Sequence, residues 1–210
     1  DLLDKFDFAV LPVMNVDGYI YSMTTHNMWR KSRSPNPNTS CIGTDLNRNY
    51  RFKWNTGGSS SNPCSDVFHG TAPFDNVETA NMDAFAKTHD IVIQTDVHAF
   101  GQMWMHPWGY TRDLSSDNAI MQASGDATYD AIRSVNGLRF RTGPIARVIY
   151  VASGSSCDHF YGEHGVIFSF APEVRGSSFQ PPASNIGPSN LELWAGMVAQ
   201  VQHAANHLGL

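Results

Sequence analysis

The stretch IVIQTDVHAF, residues 91–100, decides the fold class of this chain. Its β-branched and apolar residues predict a buried β-strand that ends in two polar side chains, Asp96 and His98. Residues two positions apart on a strand point to the same face of a sheet. We therefore expect a carboxylate and an imidazole to lie side by side where this strand ends. One histidine does not hold a metal ion, so a metal site here requires further ligands.

Strand-like and helical patterns alternate on both sides of this stretch. Further strands are predicted at residues 8–15, 102–110, 146–154 and 165–176, and helices at residues 75–89, 115–137 and 189–208. Strands separated by helices predict an α/β fold with a largely buried sheet. Nothing in the sequence marks a repeat or a second domain, so we expect residues 1–210 to form one domain.

The helix predictions rest on end signals and on apolar stripes. The pairs Asp75/Glu78 and Ser189/Glu192 have the spacing of a capping box, and Gly137 is a typical helix terminator. The stripes expected to face the core are Ile120, Ala123, Ala127 and Ala131 in the middle helix and Leu191, Trp194, Val198, Val201 and Ala205 in the last. The last stripe predicts a docked C-terminal helix.

The composition excludes several classes of function. Of the 210 residues 41% are hydrophobic, which is enough for one sizeable core. The formal net charge is −5 and the basic residues are scattered, so we expect no nucleic-acid partner. No apolar window is long enough to span a bilayer, so we expect no membrane partner, and no signal peptide is visible.

The chain contains three cysteines, and their spacing leaves their state open. Cys41 and Cys64 flank a loop-like segment rich in glycine, asparagine and serine, whereas Cys157 stands apart. This spacing is consistent with three reduced thiols and with one bridge. The glycosylation sequon Asn38-Thr39-Ser40 favours a secretory route, on which disulfides form.

Polar side chains that a core does not need lie at predicted strand ends and in one loop. They are His98, Tyr150, Glu173 and, in the loop sequence DLNRNY of residues 45–50, Asn47 and Arg48. In open α/β sheets, binding sites gather where strands end. Each residue type also has an ordinary explanation: a hydrogen-bonded structural histidine, a solvated glutamate, an arginine packed in a loop. Individually, none of them identifies a site.

Six ordered segments together resemble a known family. They are NVDGYIYS (15–22), HNMWRKSRS (26–34), TDLNRNY (44–50) with CSDVFHG (64–70), TDVHAFGQMWMHPWGY (95–110), VIYVASGSSCDHFY (148–161) and FAPEVRG (170–176). Their order and spacing resemble those of the zinc metallocarboxypeptidases, most of all the secreted, pancreatic A/B-type subfamily. The resemblance runs from about Phe8 to the last helix. It implies a mixed, mostly parallel twisted sheet flanked by helices and incomplete at the N-terminus.

The resemblance implies an enzyme that removes the C-terminal residue of a peptide. Arg48 matches the arginine that grips the terminal carboxylate, a task suited to a planar guanidinium, and Asn47 matches its neighbour in that task. Tyr150 matches a mobile tyrosine that closes over the bound end. Arg30 matches the arginine that polarises the scissile carbonyl. Glu173 matches the general base that takes a proton from zinc-bound water and passes it to the leaving amine.

Zinc is the cofactor that the resemblance implies, and His98 matches the last of three zinc ligands. The family's other two ligands come from a His-x-x-Glu pair upstream of the NVDG segment, but no histidine of this chain has a glutamate three residues later. The sequence HFYGEH, residues 159–164, has two histidines at the wrong spacing. We therefore expect that this chain lacks the family's N-terminal portion and does not hydrolyse peptides alone.

The resemblance further implies a Cys41–Cys64 disulfide and a secreted protein, which we expect to be a monomer. Cys157 matches the base of the specificity pocket and is small and uncharged. We therefore expect a preference for apolar or aromatic C-terminal residues over basic ones. The role of Asp96 stays open between orienting His98, lining the pocket with negative charge and facing solvent, and we favour the first.

Two other functions compete with this hypothesis. A catalytically inactive domain would bind peptide C-termini through Asn47, Arg48 and Tyr150 without hydrolysing them. A thiol or serine hydrolase would use Cys157 or the SGSS run of residues 153–156, but no G-x-S-x-G pattern is present and only His159 lies close to Cys157 in the sequence. Peptide C-termini are the expected substrate under the first two hypotheses.

Overall fold

The computed structural model describes residues 1–210, and its helices and strands alternate along the chain. The elements in order are α1 (Val16–Thr24), α2 (Val77–Thr88), β1 (Ile93–Thr95), β2 (His98–Ala99), β3 (Met103–His106), α3 (Asn118–Asn136), β4 (Arg141–Pro144), α4 (Ile145–Val148), α5 (Ser156–His164), β5 (Phe168–Val174) and α6 (Ile186–Leu208). The segment between α1 and α2 is irregular except for a 3-10 turn at Leu46–Arg48. The predicted α/β fold is confirmed.

The sheet is built around β5. This strand pairs in parallel with β1 and β2 and antiparallel with β3, which pairs in parallel with β4. The prediction of a mixed, mostly parallel sheet flanked by helices is therefore confirmed. Residues 91–100 form two short strands rather than one, because the chain leaves the ladder at Asp96 and Val97 before it pairs with β5 again.

Alternate side chains of β5 pack against helices on the two faces of the sheet. Phe168 and Phe170 lie in a buried cluster with Met121 and Ile132 of α3 and Ala204 of α6. Ala171, which is out of step with the phenylalanines, packs instead with Cys157 of α5. Glu173 follows Ala171 by two positions and so lies on the α5 side of the sheet. The fold thereby carries a strand-end carboxylate to the same side as the start of α5.

Three predicted helices form, with ends and faces that differ from the predictions. Helix α2 begins after Asn76, and the Asp75 carboxylate binds the Thr71 and Asn49 side chains instead of capping the helix. Helix α6 begins at Ile186, so Ser189 lies inside it and caps nothing. Gly137 ends α3 in the left-handed conformation, as predicted.

The predicted apolar stripe is one position out of register in α3, and in α6 it is confirmed for Val201 and Ala205 only. The buried side of α3 comprises Met121, Ser124, Gly125, Thr128 and Ile132, one position away from the predicted stripe. In α6, Leu191 and Trp194 are more than half exposed. Val201, Ala204 and Ala205 share the buried face with polar residues that have specific partners. Gln200 accepts a hydrogen bond from the Trp104 indole N–H and donates one to Thr95, so this polar side chain is satisfied in the core.

Two predicted strands do not form. Residues 8–12 are exposed and pair with no other strand, and a strand without a partner gains no ladder hydrogen bonds. Residues 145–148 form the short helix α4 immediately after β4, so Tyr150 follows a helix rather than lying on a strand. A strand was predicted at residues 146–154, but the strand in this part of the chain is Arg141–Pro144, which pairs with β3.

The cysteines divide as the family resemblance implies. Cys41 and Cys64 form a disulfide with their Cα atoms 5.1 Å apart, while Cys157 is free and buried. The bridge ties together two points of the irregular segment that carries Asn47 and Arg48. None of the helices combines the length and the apolar character that crossing a bilayer demands.

Candidate active site

His98 and Glu173 are direct partners across the β2–β5 pair. Opposite residues of paired strands point to the same face, so the imidazole and the carboxylate are neighbours. The Glu173 Oε2 atom is buried and has no hydrogen-bond partner. Burial raises the pKa of Glu173, against the opposing pull of His98 and Arg30. A carboxylate held in this way is poised to take up a proton.

The Nε2 atom of His98 is occupied by protein groups. It lies 3.1 Å from the Asp96 carboxylate and 3.2 Å from Asn47 Nδ2. Asp96 also accepts a hydrogen bond from the Ser156 hydroxyl, and Asn47 Oδ1 accepts from the Ser156 backbone N–H at 2.9 Å. Because Nε2 faces a carboxylate, we assign a proton to this nitrogen, while Nδ1 makes no hydrogen bond with the protein.

Asp96 and His98 shift one another's ionisation. Burial alone opposes charge on both groups, but the imidazole and the Ser156 hydroxyl hold the pKa of Asp96 below its ordinary value. For His98 burial lowers the pKa, and the Asp96 charge overcomes this effect and raises it. The pair therefore supports the expectation that Asp96 orients His98.

A cavity of about 190 Å³ opens beside this pair. It is lined by Met14, Asn15, Arg30, Asp45, Leu46, Asn47, Tyr50, Asp96 and His98. The Arg30 guanidinium is anchored by Asp45, whose Oδ2 accepts from Nε at 3.0 Å and from Nη2 at 2.9 Å. The side chain of Arg30 stays 38% exposed, and its Nη1 makes no protein hydrogen bond. A free guanidinium donor therefore faces the cavity beside the imidazole.

Glu173 is not among the residues that line this cavity, and neither are three of the four predicted substrate-binding residues. The Arg48 side chain is 3% exposed and donates to the backbone carbonyls of Asn47 and Gly58, at 2.6 Å and 3.2 Å. Gripping a carboxylate would require it to exchange these bonds. Tyr150 is 52% exposed and makes no hydrogen bond, which leaves its ring free to move.

Cys157 is the third predicted substrate-binding residue outside the cavity lining. Its thiol is 1% exposed and donates to the Ser169 carbonyl. Burial raises the pKa of Cys157 well above its ordinary value, which is the opposite of what a nucleophilic thiol requires. The nearby His159 points to Asp83 instead, at 2.9 Å. These contacts argue against the rival thiol hydrolase.

The donor set around His98 fits zinc as one side of a site. A neutral imidazole with a free Nδ1, oriented by a carboxylate on its other nitrogen, is a common arrangement for a zinc ligand. The unpartnered Oε2 of Glu173 belongs to the residue directly opposite His98 in the strand pair. Zinc takes three protein ligands at a catalytic site, so two more must join His98.

Comparison with known proteins identifies the family. A family model described as zinc carboxypeptidase matches residues 1–196. The chain belongs to the zinc carboxypeptidase family. Metallocarboxypeptidase A of Trichophyton tonsurans is 40% identical over 209 residues, covering 96% of this chain and 50% of that protein. Mouse carboxypeptidase A4 is 36% identical over 211 residues, covering 99% and 50%.

Comparison with a solved structure confirms the fold. The structure of bovine thrombin-activatable fibrinolysis inhibitor in complex with tick carboxypeptidase inhibitor has a TM-score of 0.94 at 30% identity, covering 99% of this chain and 72% of that one. This zinc carboxypeptidase chain spans about half the length of the curated relatives it matches.

Some residues of the site have no clear signal in the sequence. Asp45, which anchors Arg30, stands only two positions before Asn47, and that proximity was the one available hint. Asn15 donates to the backbone carbonyls of Arg30 and Lys31 across a gap of fifteen and sixteen residues. Such long-range contacts become visible only when the chain is folded.

Proposed function

We propose that this chain provides the general base, the carbonyl-polarising arginine and one zinc ligand of a metallocarboxypeptidase. The observation that carries the proposal is the buried, unpartnered Oε2 of Glu173 directly across the strand pair from His98. A lone buried carboxylate oxygen destabilises a fold, so its retention points to chemistry. Family membership supports the same reaction class.

Each side chain has a role that its contacts allow. Glu173, with its raised pKa, takes a proton from the attacking water and delivers it to the leaving amine. Arg30 uses its free Nη1 donor to stabilise negative charge that develops on the scissile carbonyl oxygen. Asn47 accepts a hydrogen bond from the Ser156 backbone N–H, lies beside His98 and lines the edge of the cavity.

The terminal carboxylate of the substrate is bound by Arg48 and Tyr150 after both side chains turn. Tyr150 is free to do so because it is exposed and unbonded. Arg48 exchanges two bonds to backbone carbonyls for a charge-assisted pair, which is the stronger interaction. Closure over the bound peptide end then excludes water from the cavity.

His98 would hold zinc through Nδ1, with two ligands from outside this chain. Zinc supplies acidification of a water molecule and polarisation of the carbonyl. Because one imidazole binds zinc weakly, the 210-residue chain alone is expected to bind a peptide end without cleaving it.

The substrates are peptides with apolar or aromatic C-terminal residues. A basic residue requires an unpaired carboxylate in the pocket, but the Asp96 carboxylate is engaged by His98 and Ser156, and that of Asp45 by Arg30. Cys157 is uncharged and buried among apolar side chains. With zinc present and the missing ligands supplied, kcat/KM for benzoyl-glycyl-phenylalanine should exceed that for benzoyl-glycyl-arginine by at least tenfold.

The site of action is outside the cell. The Cys41–Cys64 disulfide supports this part of the proposal, because such bridges persist in oxidising compartments. A disulfide found reduced in protein isolated from its native source would contradict it.

A chimera tests the catalytic proposal. This chain replaces the matched half of mouse carboxypeptidase A4, whose remaining half stays unchanged. The chimera should release C-terminal phenylalanine in the presence of zinc, and Glu173→Gln should lower kcat about 10² to 10⁴-fold. Glu163, which is exposed on α5, provides the matched control, and Glu163→Gln should leave kcat unchanged. Equal rates in the two variants would contradict the role of Glu173.

Binding to the chain itself gives an independent test. Calorimetry compares a peptide acid ending in phenylalanine with its C-terminal amide, without zinc. The acid should bind at least tenfold more tightly, and Arg48→Gln should remove the difference, because the guanidinium recognises the carboxylate. Acid-selective binding together with an inactive, folded chimera would favour the rival binding domain. Equal affinity for acid and amide would contradict both functions.

A further inference from the structure

A second histidine–carboxylate cluster lies between α2 and α5. Asp83 of α2 places Oδ1 at 2.9 Å from Nε2 of His159 and 3.0 Å from Nε2 of His164. The two imidazole nitrogens are 3.2 Å apart. One carboxylate oxygen and two nitrogens thus face a common point, although they come from positions 76 and 81 residues apart.

The cluster is sheltered but reachable. The side chain of His159 is fully buried, that of Asp83 is 7% exposed and that of His164 is 12% exposed. The ring of Tyr50 packs on His159 with centroids 5.3 Å apart and also lines the cavity beside His98. None of the three cluster residues lines that cavity. The two groups are therefore separate, with an aromatic ring between them.

We propose that Asp83, His159 and His164 form a second metal site that takes a divalent transition-metal ion, with Zn²⁺ the best match. Two imidazole nitrogens and one carboxylate oxygen are a ligand set that suits zinc. Given the separations of 2.9, 3.0 and 3.2 Å, an ion about 2 Å from all three atoms would lie roughly 1 Å out of their plane.

The charges around Asp83 leave the required oxygen available. Lys87 donates to Oδ2 at 2.6 Å and Arg51 lies 3.7 Å from the same atom, so both cations approach the oxygen that faces away from the histidines. Both cations are half exposed and free to turn toward solvent when an ion binds. Their positive charge weakens the site without blocking it.

The alternative is a cluster held by hydrogen bonds alone, in which both imidazoles donate N–H groups to Oδ1. That arrangement satisfies the three atoms but brings two N–H groups to within 3.2 Å of each other. Nδ1 of His159 is buried and without a partner, whether or not an ion is bound. An ion at the common point would replace the close approach of two donors with two coordination bonds and tie α2 to α5.

Metal binding to the full 210-residue chain decides between these states. After treatment with a chelator, the protein should bind zinc in a calorimetric titration at pH 7.5, and its Tm should rise by roughly 5 °C or more at about one hundred times the dissociation constant. His164→Gln should abolish the rise. His98→Gln should retain it, as should His89→Gln, a control at an exposed histidine that follows α2.

Cobalt provides a second measurement that needs no variant. Co²⁺ bound by two imidazoles and a carboxylate at low coordination number should give intense visible absorption, which zinc then displaces. Absence of both zinc binding and this absorption in the unmodified chain would overturn the proposal. Zinc binding lost in His98→Gln but kept in His164→Gln would also overturn it, since the ion would then belong to the candidate active site.

Discussion

Two pairs of imidazole and carboxylate in this chain have nearly the same spacing but different surroundings. His98 lies 3.1 Å from Asp96, and His159 lies 2.9 Å from Asp83. Around His98 the groups leave atoms unpaired and border an open cavity, and Glu173 beside them has a buried oxygen without a partner. Around Asp83 every carboxylate oxygen is bonded.

The two regions thus differ in their carboxylates, since one has an unpaired oxygen and the other is fully bonded, although Nδ1 of His159 is also buried without a partner. Unpaired polar atoms destabilise a fold and are retained where a reaction uses them. A buried carboxylate with all its hydrogen bonds made stabilises the fold. Its removal leaves the donors that it paired with buried and without an acceptor. Substitutions at Asp83 should therefore cost much more stability than substitutions at His98, and removal of the Glu173 charge should increase stability.

Among the substitutions considered, Asp83→Ala should change the free energy of unfolding of the metal-free protein the most. This change leaves two buried imidazole nitrogens without an acceptor and should lower the free energy of unfolding by about 3 kcal/mol. His98→Ala should cost less than about 1 kcal/mol, because the His98–Asp96 pair is partly exposed. Urea denaturation of both variants measures the difference. Equal losses of unfolding free energy in the two variants would contradict the proposed difference between the regions.

Protonation of Asp83 in acid should lower the free energy of unfolding by slightly less than the Asp83→Ala substitution does. Burial raises the pKa of Asp83, but hydrogen bonds from Lys87, His159 and His164 outweigh it and lower the pKa to about 2. Because the folded pKa lies below the unfolded one, this stability is complete above about pH 4 and is lost as the pH falls through about 2.

The size of this effect follows from the pKa shift. The wild-type chain should lose about 2 kcal/mol relative to Asp83→Asn between about pH 4 and pH 2, as measured by urea denaturation at each pH. The amide side chain of the Asp83→Asn variant does not ionise, so the variant lacks the Asp83 contribution while its other groups still titrate. Parallel losses in the two proteins would show that Asp83 is not the responsible group.

The smallest effect should have the opposite sign. Glu173→Gln removes a charge that burial disfavours, so it should raise the free energy of unfolding at pH 7, by less than Asp83→Ala lowers it. The gain should vanish below about pH 4, where Glu173 is protonated in the wild type. Thermal unfolding at the two pH values tests this, with the exposed Glu163→Gln as an unchanged control. A loss of stability at pH 7 would contradict the view that Glu173 is held at a cost.

The sequence predicted the parts of this structure that local patterns determine. The central strand β5, helices α2, α3 and α6, and the terminator Gly137 all follow from apolar runs and end signals. The strands expected at residues 8–15 and 146–154 failed, because a strand requires a partner and the sequence does not show which segments pair. The stripe of α6 was right for Val201 and Ala205 and wrong for Leu191 and Trp194. The polar residues Glu192 and Gln200 are buried in this helix because each has a hydrogen-bond partner.

The candidate site was predicted through resemblance more than through pattern. Asp96 and His98 were placed side by side by period-two alternation, and the structure brings both to the cavity. Arg30, Asn47 and Glu173 came from the order of family segments, and the fold gathers the first two at that cavity and the third beside His98. The cluster of His159 and His164 has the wrong spacing for a known motif, and its third member, Asp83, is distant in sequence.

The most direct test of the contrast between the two regions is a carboxyl-detected NMR titration of the metal-free chain. Asp83 should titrate with a pKa of about 2, because hydrogen bonds favour its anion, and Glu173 should titrate above its ordinary value, because burial disfavours its anion. The signals are assigned from Asp83→Asn and Glu173→Gln. Titration of Glu173 at or below its ordinary value, or of Asp83 at an ordinary one, would contradict the account.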